Sequence, residues 1–162
     1  AIGLNLRMPE VCAAIAVAQL ERAGELVTGR VTQAEKLKEA LHPFNIWAAQ
    51  PPIRQNVKHV YYTAPFIYRR ANDRWPDRDL LLRALAAEGV PLVAGYVTPL
   101  NKMTSFFQAV DEERSGLSQR FRRDWLFYFS NCEWTLSDEQ IAEIARAFQK
   151  VWDNIREGKL RG

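Results

Sequence analysis

The strongest constraint on this chain lies near its C-terminus. Ile141, Ile144, Ala145, Phe148, Val151, Trp152 and Ile155 recur at helical spacing. A helix with one apolar stripe is stable only when another element covers that stripe. Its start is also marked. Ser137 and Gln140 have the spacing of a capping box, in which hydroxyl and side-chain amide satisfy the free N–H groups of the first turn. Whatever precedes this helix must therefore supply an apolar surface of matching length.

Three upstream stretches can supply it. "HVYYTAPFIYRR" (59–70), "PLVAGYV" (91–97) and "LFYFS" (126–130) are rich in β-branched and aromatic residues and read as strands. Pro65 cannot donate to a ladder, so it is expected at an edge or a bulge. Between the first two strands, Asp77 can cap a helix from Arg78 to about Glu88. Leu81, Leu82 and Leu85 face inward on it, and Gly89 terminates it. Residues 99–124 read as irregular, with a short helix near Ser118–Arg123. "AAQPPIRQN" (48–56) is a loop by its paired prolines.

The N-terminal part reads as two helices. Pro9 suits a first helical turn. "VCAAIAVA" (11–18) is apolar on every face, and a helix apolar all round is buried all round. It is either a central core helix or a helix held between this chain and a larger body. Gly24 can bend or end it. A second, amphipathic segment runs from Glu25 to Leu41, with Leu26, Gln33, Ala34, Leu37 and Leu41 at helical spacing. His42-Pro43 stops it. The order α, α, β, α, β, β, α defines an α+β fold: a small antiparallel sheet covered by helices.

Composition removes several classes of function. At 162 residues, 48% hydrophobic and 25% charged, the chain suits one globular domain. The net charge of +3, without a long basic run, argues for no polyanionic partner. Cys12 and Cys132 make no disulfide framework, so a reducing, cytoplasmic setting is expected. No apolar run approaches membrane-spanning length, and no signal peptide is visible. There is no phosphate-binding glycine loop, no nucleophile elbow and no metal-ligand spacing around the cysteines. His42 and His59 read as structural. Asp111, Glu112 and Glu113 read as a solvated turn. Arg120, Arg122 and Arg123, interleaved with Phe121 and Trp125, are either a nucleic-acid patch or, more commonly, the wet side of a short helix.

The opening stretch carries more. "GLNLRMPEVCAAIAVAQLERAGEL" resembles the start of the C-terminal small domain in the DegT/DnrJ/EryC1/StrS family, pyridoxal-phosphate-dependent aminotransferases acting mostly on keto sugars and cyclitols. Gly3, Asn5, Arg7, Met8, Glu10, Ala13, Ala14, Ile15, Gln19 and Leu20 carry the resemblance. "RDLLLRALAAEGVPLVAGYVTPL" (78–100) and "NCEWTLSDEQIAEIARAFQKVWDNI" (131–155) resemble the same family, in register. The resemblance implies the C-terminal domain of a fold-type I transferase, with residues 1–41 as helices at an interface and 57–162 as the α+β body.

It also implies what each residue does. Asn5 would reach the cofactor phosphate bound by a neighbouring subunit, as a directed amide donor; otherwise it caps a helix turn. Arg7 would bind the amino donor's carboxylate or an anionic substrate through its planar fork; otherwise it forms a salt bridge. Tyr96 and Asn101 fall in a loop at the mouth of the site, where many relatives carry a histidine and this chain has Asn101. Tyr96 can equally be a core aromatic. Pyridoxal 5'-phosphate is the implied cofactor, held mainly by a large domain outside these residues. None of Lys36, Lys38, Lys58, Lys102, Lys150 or Lys159 matches the motif of the cofactor lysine. The implied partners are that large domain, a second copy in a homodimer and a keto sugar or cyclitol, aminated from glutamate or glutamine. The alternative is a non-catalytic module that keeps the fold to bind a ligand or a protein. No nucleic acid, metal or membrane is expected.

Overall fold

The structure, a computed structural model, describes residues 7–98, 112–129 and 135–160. One helix, α1 (Glu10–Leu41), replaces the two expected. It runs unbroken through Gly24 and Gly29. An interior glycine costs a helix only about 1 kcal/mol, too little to end it without a proline or a competing cap. A 3₁₀ turn at His42–Phe44 follows, and Pro43 lies in its first turn.

The sheet has four antiparallel strands in the order β1-β2-β4-β3. They are β1 (Ala48–Ala49), β2 (Ala64–Tyr68), β3 (Leu92–Ala94) and β4 (Leu126–Phe129). β1 lies inside the expected loop; two alanines carry no strand signal by themselves. Pro65 is on a strand with neighbours on both sides, which its sequence did not suggest. Its position is still reasonable: β1 pairs only with Ile67 and Tyr68, so Pro65 has a partner, Tyr128, on the β4 side alone.

α2 (Arg78–Ala87) is capped by Asp77, whose carboxylate accepts from the Leu80 N–H at 2.7 Å. It ends at Gly89, where φ is +85°. The short helix expected near Ser118–Arg123 is α3 (Glu112–Arg120), which starts earlier and takes in Glu112 and Glu113, read from the sequence as a turn, while Asp111 lies outside the described residues; it continues as a π-helical segment, Phe121–Trp125, into β4. α4 (Asp138–Arg156) carries the predicted capping box, with both reciprocal bonds formed.

The core lies between one face of the sheet and the helices. Phe66 and Tyr68 of β2 and Phe127 and Phe129 of β4 point inward, with Phe66 paired to Phe127 in the register. α4 covers them with Ile141, Ile144, Phe148, Val151 and Ile155. Trp47, fully buried, stacks 5.3 Å from Phe148 and 6.1 Å from Trp152. Burial of this many large rings, each worth ~1.5–3 kcal/mol, dominates the stability of the body.

Only the C-terminal part of α1 joins this core. Gln33, Ala34, Leu37 and Leu41 are buried, whereas no residue from Glu10 to Thr32 is. The core-helix reading of "VCAAIAVA" is therefore overturned. Val11, Ile15, Val17 and Leu20 are each more than half exposed. The unburied part of α1, Glu10–Thr32, is about 35 Å long at 1.5 Å per residue, and its apolar run lies at the far end.

Candidate functional site

The free half of α1 starts at Pro9, which holds extended dihedrals of φ −60° and ψ 144° and whose carbonyl accepts from the Ala13 N–H at 3.0 Å. Proline loses nothing there, because its missing N–H would be unpaired anyway. Arg7 is exposed just ahead of it. The end of the helix thus carries a guanidinium next to exposed Met8 and Val11, with Cys12 a free, exposed thiol. Asn5 and Asn101 lie outside the described residues. Apolar residues exposed on more than one side of a protruding helix, Val11, Ile15, Val17 and Leu20, mark a contact surface.

Tyr96 follows β3. Its ring packs edge-on against Tyr128 at 5.8 Å, on the sheet face away from the core, and the residue is 46% exposed. The core-aromatic alternative is therefore excluded. Its carbonyl accepts from Arg122 Nε at 3.2 Å. The turn before it is set by Gly95, with φ +66°, where a Cβ would meet Arg122 Cγ and the Arg122 carbonyl at 3.1 Å. Arg7 and Tyr96 stand on separate parts of the fold, one at the head of the projecting helix and one on the sheet. The chain does not bring them together.

The arginine cluster is locally engaged. Arg123 pairs with Asp124 at 2.7 Å, which holds the Asp124 carboxyl below its usual range, and Arg120 lies 5.6 Å from the Trp125 ring centroid. Arg78 is buried on α2. It donates to the carbonyls of Arg122 and Leu126 and pairs with Asp79 at 2.7 Å, tying the π-helical segment to α2.

A second cluster escaped the sequence reading. Lys38 Nζ donates to Glu35 at 3.1 Å and to the Tyr61 hydroxyl at 3.2 Å, and that hydroxyl donates to Glu35. The hydrogen bond from Tyr61 is the main cause that lowers the Glu35 carboxyl pKa. Burial pulls the Lys38 ammonium down, but its bonds to Tyr61 and Glu35 outweigh that and raise it. His59 Nδ1 accepts from the Tyr61 N–H at 2.9 Å, and Tyr61 sits at φ +48°. The charge spacing of Glu35 and Lys38 was visible; the return of Tyr61 to that face, across a loop, was not.

These side chains do not make a pyridoxal-phosphate pocket by themselves. Lys36, Lys150 and Lys159 are each ion-paired at the surface, to Asp138, Glu88 and Glu157. Among the described residues no group of His, Cys, Asp and Glu is arranged to hold a metal, and no helix is long and apolar enough to cross a membrane.

The fold, a short antiparallel sheet under helices with one long helix leaving the body, is shared with part of solved aminotransferases. It superposes on an aminotransferase from Psychrobacter cryohalolentis with a TM-score of 0.75 at 22% identity, over 96% of this chain and 42% of that one. It superposes on a DegT DnrJ EryC1 StrS aminotransferase from Brucella abortus at 0.69 and 21% identity, over 92% and 37%. A putative sugar aminotransferase from Streptococcus pneumoniae, in its PMP form, gives 0.64 at 17% identity, over 92% and 36%. The chain thus spans well under half the length of these relatives. The profile of the DegT/DnrJ/EryC1/StrS aminotransferase family matches residues 1–149, and the chain belongs to that family. A search of curated proteins finds no match.

Proposed function

We propose that this chain is the small-domain part of a pyridoxal-phosphate-dependent aminotransferase that aminates a keto sugar or keto cyclitol, with glutamate or glutamine as donor. The observation that carries the reading is the projecting half of α1, apolar, unburied by its own body and headed by the Asn-x-Arg stretch. Such a helix gains stability by docking on another polypeptide surface. The large cofactor-binding domain and a second subunit are the partners that family membership supports.

In that assembly the cofactor supplies the electron sink for moving the amino group. Asn5 donates its amide N–H to the cofactor phosphate, and Arg7 pairs with a carboxylate of the donor or an anionic group of the substrate. Tyr96 and Asn101 line the mouth from the loop after β3. The half-exposed Tyr96 ring suits stacking on a sugar or cyclitol face. Residues 1–162 form one domain in this reading, with 1–41 at the interface and 57–162 as the body. The setting is cytoplasmic, where the exposed Cys12 thiol stays reduced.

The test is coexpression with the large domain. Transamination activity should appear only in the pair, and the chain by itself should trap no lysine-linked pyridoxal phosphate on borohydride treatment. In the pair, Asn5→Ala should weaken cofactor retention by about tenfold, the weight of one hydrogen bond to a charged group. Stoichiometric cofactor on a lysine of this chain would overturn the reading of it as the part without the cofactor lysine, and no activity in a stably assembled pair would replace it with that of a non-catalytic binding module.

A further inference from the structure

Lys38 and Tyr61 of the Glu35–Lys38–Tyr61 cluster line a cavity of about 190 Å³ beneath the 50–59 loop. Pro52, Ile53, Val57, Pro65 and Phe66 give it an apolar lining. An apolar cavity of ~150 Å³ is enough to hold a benzene ring, so this one has room for a ring or a short alkyl chain.

The charged side chains around it are of one sign; Gln50, the neutral amide of the lining, donates its Nε2–H to the Lys38 carbonyl at 2.9 Å. Lys38 contributes an ammonium and Arg54 a guanidinium that makes no ion pair among the described residues. His59 lines the same space. Because its Nδ1 accepts from the Tyr61 N–H, the neutral ring carries its proton on Nε2, which is then a donor. No lining residue among those described has a carboxylate. The nearest, Glu35, is already held by Lys38 and Tyr61. The backbone is strained at this wall. Tyr61 occupies left-handed dihedrals, unfavourable for a non-glycine residue, which the bonds from its N–H and hydroxyl hold in place.

We infer that this cavity is a binding site for a small carboxylate with an apolar body, its ring or alkyl chain against Ile53, Val57 and Phe66 and its carboxylate at Arg54 and the His59 Nε2–H. The aminotransferase reading does not enter this assignment. An apolar space whose charged lining groups are cationic favours an anionic head over a hydroxyl or an amine.

The test is a titration of the full chain, followed by amide chemical shifts, with hexanoate, hexanol and hexylamine as probes. Hexanoate should saturate shifts at Val57, His59 and Phe66, binding about fivefold or more tightly than hexanol, with hexylamine weakest. Arg54→Glu, at an exposed position, should cut hexanoate affinity by at least about fivefold and leave hexanol unchanged. His59→Gln gives a second, milder loss, and circular dichroism verifies that both variants fold. Equal affinity for hexanoate and hexanol, saturation at other residues, no saturation at all, or an Arg54→Glu variant that binds hexanoate normally would each overturn the assignment.

Discussion

Gln33 Oε1 accepts a hydrogen bond from the Leu136 N–H at 2.9 Å, joining residues 103 positions apart. Leu136 immediately precedes the Ser137 cap, so this one bond sets where α4 begins against α1. Gln33 is 5% exposed and its Nε2 has no hydrogen-bond partner among the described residues, so there the amide is held through its oxygen. Gln33→Ala should lower stability by about 1–3 kcal/mol, because a buried N–H then lacks its acceptor. Urea unfolding measures this. Lys36→Ala, one turn away and paired to Asp138 at the surface, should change stability by less than ~1 kcal/mol.

Tyr68 makes the alkaline limit of the body predictable. Its hydroxyl donates to the Pro76 carbonyl at 2.7 Å, and burial pushes its pKa from 10.0 up to about 12, against a smaller lowering by Arg70. The folded state favours the neutral phenol. Its contribution is therefore complete below the unfolded value of 10.0 and is lost as pH rises towards about 12. Tyr68→Phe should cost ~1 kcal/mol at neutral pH through the lost hydrogen bond. It should also flatten the fall in stability across that alkaline window, as read from melting temperatures.

Two pairs of glycines should respond with opposite sign. Gly24 and Gly29 lie within α1, and no atom stands within 4 Å of where an alanine methyl would sit at either position. Alanine at each should stabilise the helix by about 0.5–1 kcal/mol and raise the helical signal in circular dichroism. Gly89→Ala and Gly95→Ala force a side chain into left-handed dihedrals and should destabilise by ~1 kcal/mol or more. Gly95→Ala should be the worse, since its methyl also meets Arg122 at 3.1 Å, and calorimetry should rank the two.

Arg78 should not be replaceable by lysine. Its buried guanidinium serves two carbonyls and a carboxylate at once, a geometry that needs the planar fork. Arg78→Ala removes the side-chain donor of the Arg122 carbonyl, leaves the Leu126 carbonyl with the Gly95 N–H alone and should cost about 2–4 kcal/mol. Arg78→Lys should recover less than half of that in chemical denaturation.

Elements fixed by local rules were legible from residue type and spacing. The capping box at Ser137, the Asp77 cap, the Gly89 terminator and the β4 run each rest on contacts within a few residues. α4 was readable because its stripe repeats long enough to exclude a strand. The two-alanine β1 was not, since its pairing with Ile67 and Tyr68 depends on where the chain returns in space. Nor was the Glu35–Lys38–Tyr61–His59 wall, built across a loop from residues of different kinds. Of the candidate site, Arg7 and Tyr96 were named from resemblance; their separation on the fold could come only from coordinates.

What the sequence determined by itself is the α+β class, the family motif and the ends of α2 and α4, because caps, periodicity and turn residues act through near neighbours. Tertiary structure alone decided the fate of the alanine-rich stretch. Its pattern says only that its faces are apolar. Whether they are covered depends on how far the body reaches, and the body's apolar surface is already filled by the stretch from Gln33 to Leu41 and by α4.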